Sequence, residues 1–313
     1  MRIAIFGSGG SGGYFGARLA RAGERVVFIA RGNHLQAIRE KGLFVDSVEG
    51  DFVVNPAQVT DDPAETGVAD VVIVGVKSWQ VPEAAQAMRP LIGPGTFVVP
   101  LQNGVEAPAQ LEEVLGPGRV LGGSARVLTY ISAPGRIRHL GGPATITFGE
   151  LNNRPSERAE RLRETFSRAG ISAEIPPDIQ AALWEKFLFI VPLGGIGAVT
   201  RAPVGTLRAL PETRTMLEQG MTEIHDVARG RKVSLREEIV TRTMNFVDTL
   251  PPNGTFSLQR DILAGRPSEL EAWNGAVVRL GRQVGVATPL HEFLYGSLLP
   301  MEKKARGQVS FPV

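Results

Sequence analysis

Two features of this chain could do chemistry: a run of glycines near the amino end and one lysine in an apolar stretch. Gly7, Gly9 and Gly12 fit G-x-G-x-x-G within MRIAIFGSGGSGGYFG, with Gly10, Ser11 and Gly13 interleaved. Glycine at these points allows a tight turn and close approach of backbone to a pyrophosphate. It also lets the following helix pack near the strand, with its free N–H groups aimed at phosphate oxygens. The spacing alone says little, because 37 glycines in 313 residues produce chance matches. Its position says more: the apolar run Ile3 to Phe6 precedes it as a strand, and Tyr14 to Ala22 follows as a helix that Gly23 is placed to end. Strand, glycine turn and helix predict a dinucleotide site built on Gly7, Gly9, Gly10, Ser11, Gly12 and Gly13.

Arg25 to Ala30 reads as a second buried strand ending at Arg31. A site for NAD usually places Asp or Glu there to bind the ribose 2′-hydroxyl, yet no acid occurs from Arg25 to Arg39. Arg31 instead offers a guanidinium suited to a 2′-phosphate, which favours NADPH; a solvated arginine at a strand end is the plainer alternative.

Only six of the 34 basic residues are lysine, and Lys186 lies in LWEKFLFIV. At helical spacing it shares a face with Leu183, Phe187 and Ile190, the face expected to be buried. A buried ammonium is costly unless it meets an anion, and it shifts its pKa readily. Two readings are open: a general acid, or a lysine that snorkels to the surface or closes a structural ion pair. Glu269 has a plain explanation as a first-turn acid, since Ser268 with Glu271 fits a helix capping box. Ser257 stands in a loop after Pro251-Pro252-Asn253-Gly254, and Asn103 organises an Asn-Gly turn.

The elements that must hold these residues fall into two blocks. Strand-like VVIVGV ends at Lys77, and Thr96 to Leu101 ends at Gln102-Asn103-Gly104, with a helix from Val81 to Met88 between them. This βαβ rhythm predicts a doubly wound sheet that binds ligands outside the carboxyl ends of its strands. The glycine loop, Arg31, Lys77 and Asn103 all fall at such ends. From Arg119 to Glu150 the pattern is β-rich: Val120 to Tyr130, Arg136 to Leu140 and Thr145 to Phe148, joined by Ala133-Pro134-Gly135 and Gly141-Gly142-Pro143. Beyond Pro176-Pro177 helical patterns dominate: Asp178 to Val191, Pro211 to Ala228, Leu235 to Phe246 and Ser268 to Val284. The expected fold is α/β, an N-terminal Rossmann-type doubly wound sheet (1–176) followed by an all-α C-terminal domain (177–313).

Composition narrows the functions. Apolar content of 43%, charged content of 21% and a net charge of +2 are ordinary for a globular protein, with no basic stripe for nucleic acid. The chain has no Cys, and its four His have no metal-ligand spacing, so no metal is expected. The apolar run Phe187 to Val199 is too short to span a bilayer, and the amino end reads as a strand rather than a secretory signal, so a cytoplasmic protein is expected. A homodimer is compatible with the apolar faces of the helical part.

Taken as a whole, the chain resembles the ketopantoate reductase (2-dehydropantoate 2-reductase) family nearly end to end. The resemblance rests on GSGGSGGYFG, VGVKSWQV, PLQNGVE, LWEKFLF and SLQRDILAGRPSELE, in that order. It implies NADPH-dependent reduction of a 2-oxo acid, ketopantoate to pantoate in pantothenate biosynthesis. Lys186 then matches the catalytic lysine that protonates or polarises the keto oxygen, and Glu269 the second catalytic acid. Ser257 matches the hydroxyl that binds the substrate carboxylate, Asn103 a residue near nicotinamide and substrate, and Lys77 a lysine of the cofactor cleft. Where the family usually carries Asn one and two turns after the catalytic lysine, this chain has Ile190 and Gly194. That departure makes a paralogous reductase of a more apolar 2-oxo acid the first alternative. An NADPH-binding sensor or interaction protein without turnover is the second.

Overall fold

Apolar runs that end in glycine or polar residues build the first half of the chain. A computed structural model describes residues 1–142 and 144–311, and the chain divides into two compact units, Met1–Gln180 and Ala181–Val313. The first unit opens with β1 (Arg2–Phe6), α1 (Gly10–Arg21), β2 (Arg25–Ile29), α2 (Gly32–Lys41), β3 (Leu43–Ser47), β4 (Phe52–Val54) and β5 (Gln58–Thr60). It continues with β6 (Val71–Val74), α3 (Val81–Ala87), β7 (Phe97–Pro100) and α4 (Ala107–Leu115). Five strands pair in parallel in the order β5-β2-β1-β6-β7. Ile3, Ala4 and Ile5 of β1 and all four residues of β6 are fully buried, as expected of central strands covered on both faces. The winding reverses between β1 and β6, so a crevice forms beyond their carboxyl ends.

The β-rich stretch that follows contains β8 (Leu121–Arg126), β9 (Thr129–Ala133), β10 (Arg136–His139) and β11 (Thr145–Glu150), then α5 (Glu157–Arg168) and β12 (Ser172–Glu174). The single strand expected from Val120 to Tyr130 is two strands in two sheets: β8 pairs antiparallel with β11, and β9 with β10. Strand propensity runs on through residues 120–130, whereas the change of partner at Val127-Leu128 depends on contacts far away in sequence. Pro143, in the second expected joint, lies outside the described residues.

The second unit is helical: most of α6 (Ile179–Thr200), then α7 (Val204–Ala209), α8 (Pro211–Gly230), α9 (Ile239–Thr249), α10 (Ser257–Leu263), a π-helical turn (Glu271–Gly275), α11 (Ala276–Val284) and α12 (Pro289–Ala305). The helix expected to end at Val191 runs on through Pro192 to Thr200. An interior proline costs about 3 kcal/mol. Burial of Leu193, Ile196 and Ala198 beyond it offsets that cost. By length and composition α6 could cross a membrane, but 72% of its most apolar window is buried in the fold. It is the core helix of this unit, apolar on every face.

One carboxylate fixes where α12 begins. Glu223 of α8 accepts the N–H groups of Leu290 (2.9 Å) and His291 (3.1 Å) and pairs with Nδ1 of His291 at 2.7 Å. It therefore satisfies donors that every helix leaves open in its first turn. Burial alone would raise the pKa of Glu223, but the His291 and backbone hydrogen bonds outweigh burial and hold the carboxyl below the usual range. A depressed carboxylate contributes stability that is present above its unfolded pKa of about 4.3 and is lost as pH falls through the folded value. Glu223→Gln should therefore cost about 3 kcal/mol at pH 7, read from urea unfolding of the two proteins. The gap should close as the pH is lowered below about 4; equal stabilities at pH 7 would contradict this role.

Candidate active site

Three backbones meet at the crevice beyond β1 and β6. Gly7 adopts φ +97°, and a Cβ on it would lie 2.6 Å from the Val76 nitrogen. A Cβ on Gly12 would sit 2.2 Å from the Gly7 carbonyl oxygen, and one on Gly75, just past β6, 2.7 Å from the same atom. Around Gly9, by contrast, nothing lies within 4 Å of the Cβ position. The glycine run is thus closed on the protein side and open on the other. α1 starts at Gly10 with no side-chain cap and no acid in its first turn. That half-open cradle fits a pyrophosphate on the N–H groups of Gly10, Ser11 and Gly12.

The cradle is held by residues that the sequence did not single out. Gly10 packs on the backbone of Thr129 and Tyr130 in β9, with a Cβ position 2.9 Å from the Thr129 oxygen, while Gly13 lies against Ile137 and the Ser8 oxygen. His34 bridges the loop to the β9–β10 turn: Nδ1 accepts the Gly135 N–H at 3.0 Å, leaving Nε2–H to donate to the Ser8 oxygen at 2.9 Å. Burial lowers the pKa of His34 against the opposing pull of the Ser8 carbonyl, which favours this neutral tautomer. A lone histidine in an amphipathic helix carries no sequence signal of such a role. Gly75, which breaks an apolar run at a strand end, does.

Arg31, Lys77 and Asn103 all reach the same sheet edge. Arg31 follows β2, and its exposed guanidinium lies 3.2 Å from Glu83 Oε1 of α3. Such an exposed pair is worth about 0–1 kcal/mol, so an arriving phosphate competes with it easily. Lys77 follows β6, with Nζ 5.8 Å from the Trp79 ring centre. Asn103 follows β7 beside buried Gln102, whose amide donates to the Val74 (3.0 Å) and Val76 (2.8 Å) oxygens and ties the ends of β6 and β7 together. The turn after Asn103 is the expected one, with Gly104 at φ +116°.

In the helical unit Lys186 is half-buried on α6, among buried Leu183, Phe187 and Ile190. Ser257 is not in a loop as expected but is the first residue of α10. Phe256 before it packs edge-on against Phe189 of α6 at 5.5 Å, and the Leu258 Cβ after it lies 3.4 Å from the Cβ position of Gly194. Ser257 is therefore bracketed against the stretch of α6 that follows Lys186. The π-helical turn reaches the same stretch, with Trp273 Cζ3 2.7 Å from the Cβ position of Gly194 and Asn274 Nδ2 2.7 Å from that of Gly195. Glu269, just upstream of this turn, is 8% exposed.

The capping box expected between Ser268 and Glu271 does not form. Ser268 Oγ accepts the Leu270 N–H at 3.3 Å, while Glu271 turns outward to Arg279 (2.5 Å) and the Tyr295 hydroxyl (2.7 Å). Burial, and then Glu271, push that hydroxyl's pKa up to about 12. The Gly275 N–H bonds the Leu270 oxygen five residues back, at 3.0 Å, so the turn is wider than an α-helix.

The missing amide at Gly194 is not an empty space, because the Trp273 ring fills it. Gly194→Asn should expel that ring rather than restore a substrate contact, costing about 1–3 kcal/mol of stability with a red shift in tryptophan emission. A stable variant with unchanged emission would show that the ring is not held there.

One unit thus carries a phosphate cradle at a sheet switch point, and the other carries half-buried Lys186 on a helix against which the Ser257 segment and the turn after Glu269 pack. The family model for ketopantoate reductase PanE/ApbA matches residues 3–153, and the model for its C-terminal part matches residues 178–302. The chain belongs to the ketopantoate reductase family, oxidoreductases that act on CH–OH groups and interconvert them with 2-oxo acids. It is 31% identical over 311 residues to a 2-dehydropantoate 2-reductase of Mesorhizobium japonicum, covering 92% of this chain and 94% of that one. The 2-dehydropantoate 2-reductase structure from Geobacter metallireducens superposes with a TM-score of 0.88 at 32% identity, covering 96% and 99% of the two chains. A D-mandelate dehydrogenase solved with NADH and anilino(oxo)acetate shares the fold, with a TM-score of 0.89 at 23% identity and coverage of 98% and 99%.

Proposed function

We propose that this protein is an NADPH-dependent 2-oxo acid reductase that converts 2-dehydropantoate to pantoate in the cytoplasm. Bound at the glycine loop, NADPH supplies the hydride. Gly7, Gly9, Gly10, Ser11, Gly12 and Gly13 would hold its pyrophosphate, Arg31 its 2′-phosphate, and Lys77 and Asn103 line its cleft. A charge-assisted contact of the Arg31 kind is worth about 1.5–3 kcal/mol, enough to favour NADPH over NADH. Lys186 gives its proton to the keto oxygen, so that charge does not accumulate there as the carbonyl carbon is reduced. Ser257 donates a hydrogen bond to the substrate carboxylate, and Glu269 orients the lysine and the substrate. The observation that carries this reading is the packing of α10 and the π-helical turn onto α6, which brings the Ser257 and Glu269 segments to the lysine's helix. Lys186→Ala should leave the NADPH dissociation constant nearly unchanged, measured by nicotinamide fluorescence, and lower kcat by about 10²-fold or more. Unfolding of the variant with little loss of specific activity would instead mark a structural lysine.

Ile190 and Gly194 favour a second reading, the same reaction on a 2-oxo acid with a more apolar substituent. Ketopantoate carries a terminal hydroxyl. A site that hydrogen-bonds such a group rejects analogues lacking it strongly, whereas an apolar wall discriminates weakly. With Trp273 and Ile190 in place of two amides, hydroxyl recognition falls to Glu269 and Asn103. The ratio of kcat/KM for ketopantoate over 3,3-dimethyl-2-oxobutanoate should stay below about 10², followed as NADPH oxidation. Several thousand-fold preference for ketopantoate would exclude the apolar reading, and equal turnover with NADH would exclude the cofactor assignment.

A further inference from the structure

Ser268, the residue immediately before Glu269, is fully buried, and every polar group it owns is engaged by α12 or by its own turn. Its N–H and hydroxyl both donate to the Glu302 carboxylate, the N–H at 3.0 Å to Oε2 and the hydroxyl at 2.5 Å to the same oxygen. Its carbonyl accepts Nη2 of Arg306 at 3.1 Å, and Arg306 Nε in turn pairs with Glu302 Oε1 at 2.6 Å. The last turn of α12 and the Arg306 that follows it thus grip both sides of a single residue. Downstream, the Glu269 carbonyl accepts the Trp273 N–H at 3.0 Å as the π-helical turn begins. Glu269 sits between these two fixed points.

Glu302 is 5% exposed. A buried ion pair is weak support for stability, because the cost of stripping water from the charges often matches or exceeds their attraction, and apolar side chains of the same volume serve as well. What apolar side chains cannot do is hold an N–H, a hydroxyl and a carbonyl in one orientation. We propose that Glu302, braced by Arg306, is a positioning residue that sets the direction of the Glu269 carboxylate through Ser268. The proposal rests on the reading of Glu269 as a member of the reacting site.

A double-mutant cycle in the full-length, NADPH-saturated enzyme tests it. Glu302→Gln keeps the volume and one acceptor but loses the grip on Arg306. Ser268→Ala, the milder change, removes only the hydroxyl and keeps the test open if the first variant folds poorly. Each should lower kcat by about 10-fold or more, since small misplacements of reacting groups are costly. KM should change far less, and the NADPH dissociation constant should stay within about twofold. In the background of Glu269→Gln, neither change should lower kcat further, because the group being positioned is already gone. Glu292→Gln, on the exposed side of the same helix, is the control that leaves kcat unchanged. Additive losses in the double variants, or losses that track the folded fraction measured by circular dichroism, would overturn the proposal and leave a structural clamp. If Glu269→Gln alone leaves kcat intact, the reading of Glu269 fails first, and the positioning role falls with it.

Discussion

A second backbone or a bulky side chain comes within touching distance of a backbone only where no Cβ stands in the way, and both units of this protein depend on that constraint. At the sheet switch point the Gly7, Gly12 and Gly75 backbones close on one another, and the strand-to-helix turn has no other way to be so tight. Along α6 it is Gly194, Gly195 and Gly197 that let Leu258, Trp273, Asn274 and Gln259 reach the helix. A methyl group at either place would push apart the elements that carry the candidate site. Catalytic residue types matter little unless these gaps are kept.

Helix ends impose a second condition. α12 starts on a carboxylate from α8, and its last turn sends a carboxylate to the backbone ahead of Glu269. Both acids are almost completely buried, and each lies against at least two donors that would otherwise be buried without partners. α12 is therefore anchored at its start by Glu223, while its last turn anchors the residue ahead of Glu269, in each case by charge-assisted hydrogen bonds, which are shorter and stronger than neutral ones.

Much of this was legible in the sequence because it is local. The glycine turn, the apolar strands and the residues at their carboxyl ends follow from period and spacing, and α1 and α3 begin or end within a few residues of where the pattern puts them. What was not legible depends on distant partners. Ser257 follows a Pro-Pro-Asn-Gly stretch that reads as loop, but contacts of its neighbours with Phe189 and Gly194 of α6 support a helix there. α6 outlasts Pro192 because tertiary burial exceeds the local cost of the proline. The capping box failed because Glu302, 34 residues away, supplies the acceptor that Glu271 was expected to provide. Gly194 looked like a lost side chain, whereas its space belongs to Trp273.

The wide turn at Glu271–Gly275 has a consequence for how such a site changes over generations. It holds one residue more than an α-helix needs, and each residue of an α-helix turns its neighbours by about 100°. Deleting a single codon there would let the turn close to α-helical geometry, and the residues that would have to move are those of the turn itself, Trp273 and Asn274, which pack beside Gly194 and Gly195. Ala276, Val277 and Leu280 would keep their buried face. Insertion and deletion, more than substitution, are thus the changes that would reset how this turn packs against α6.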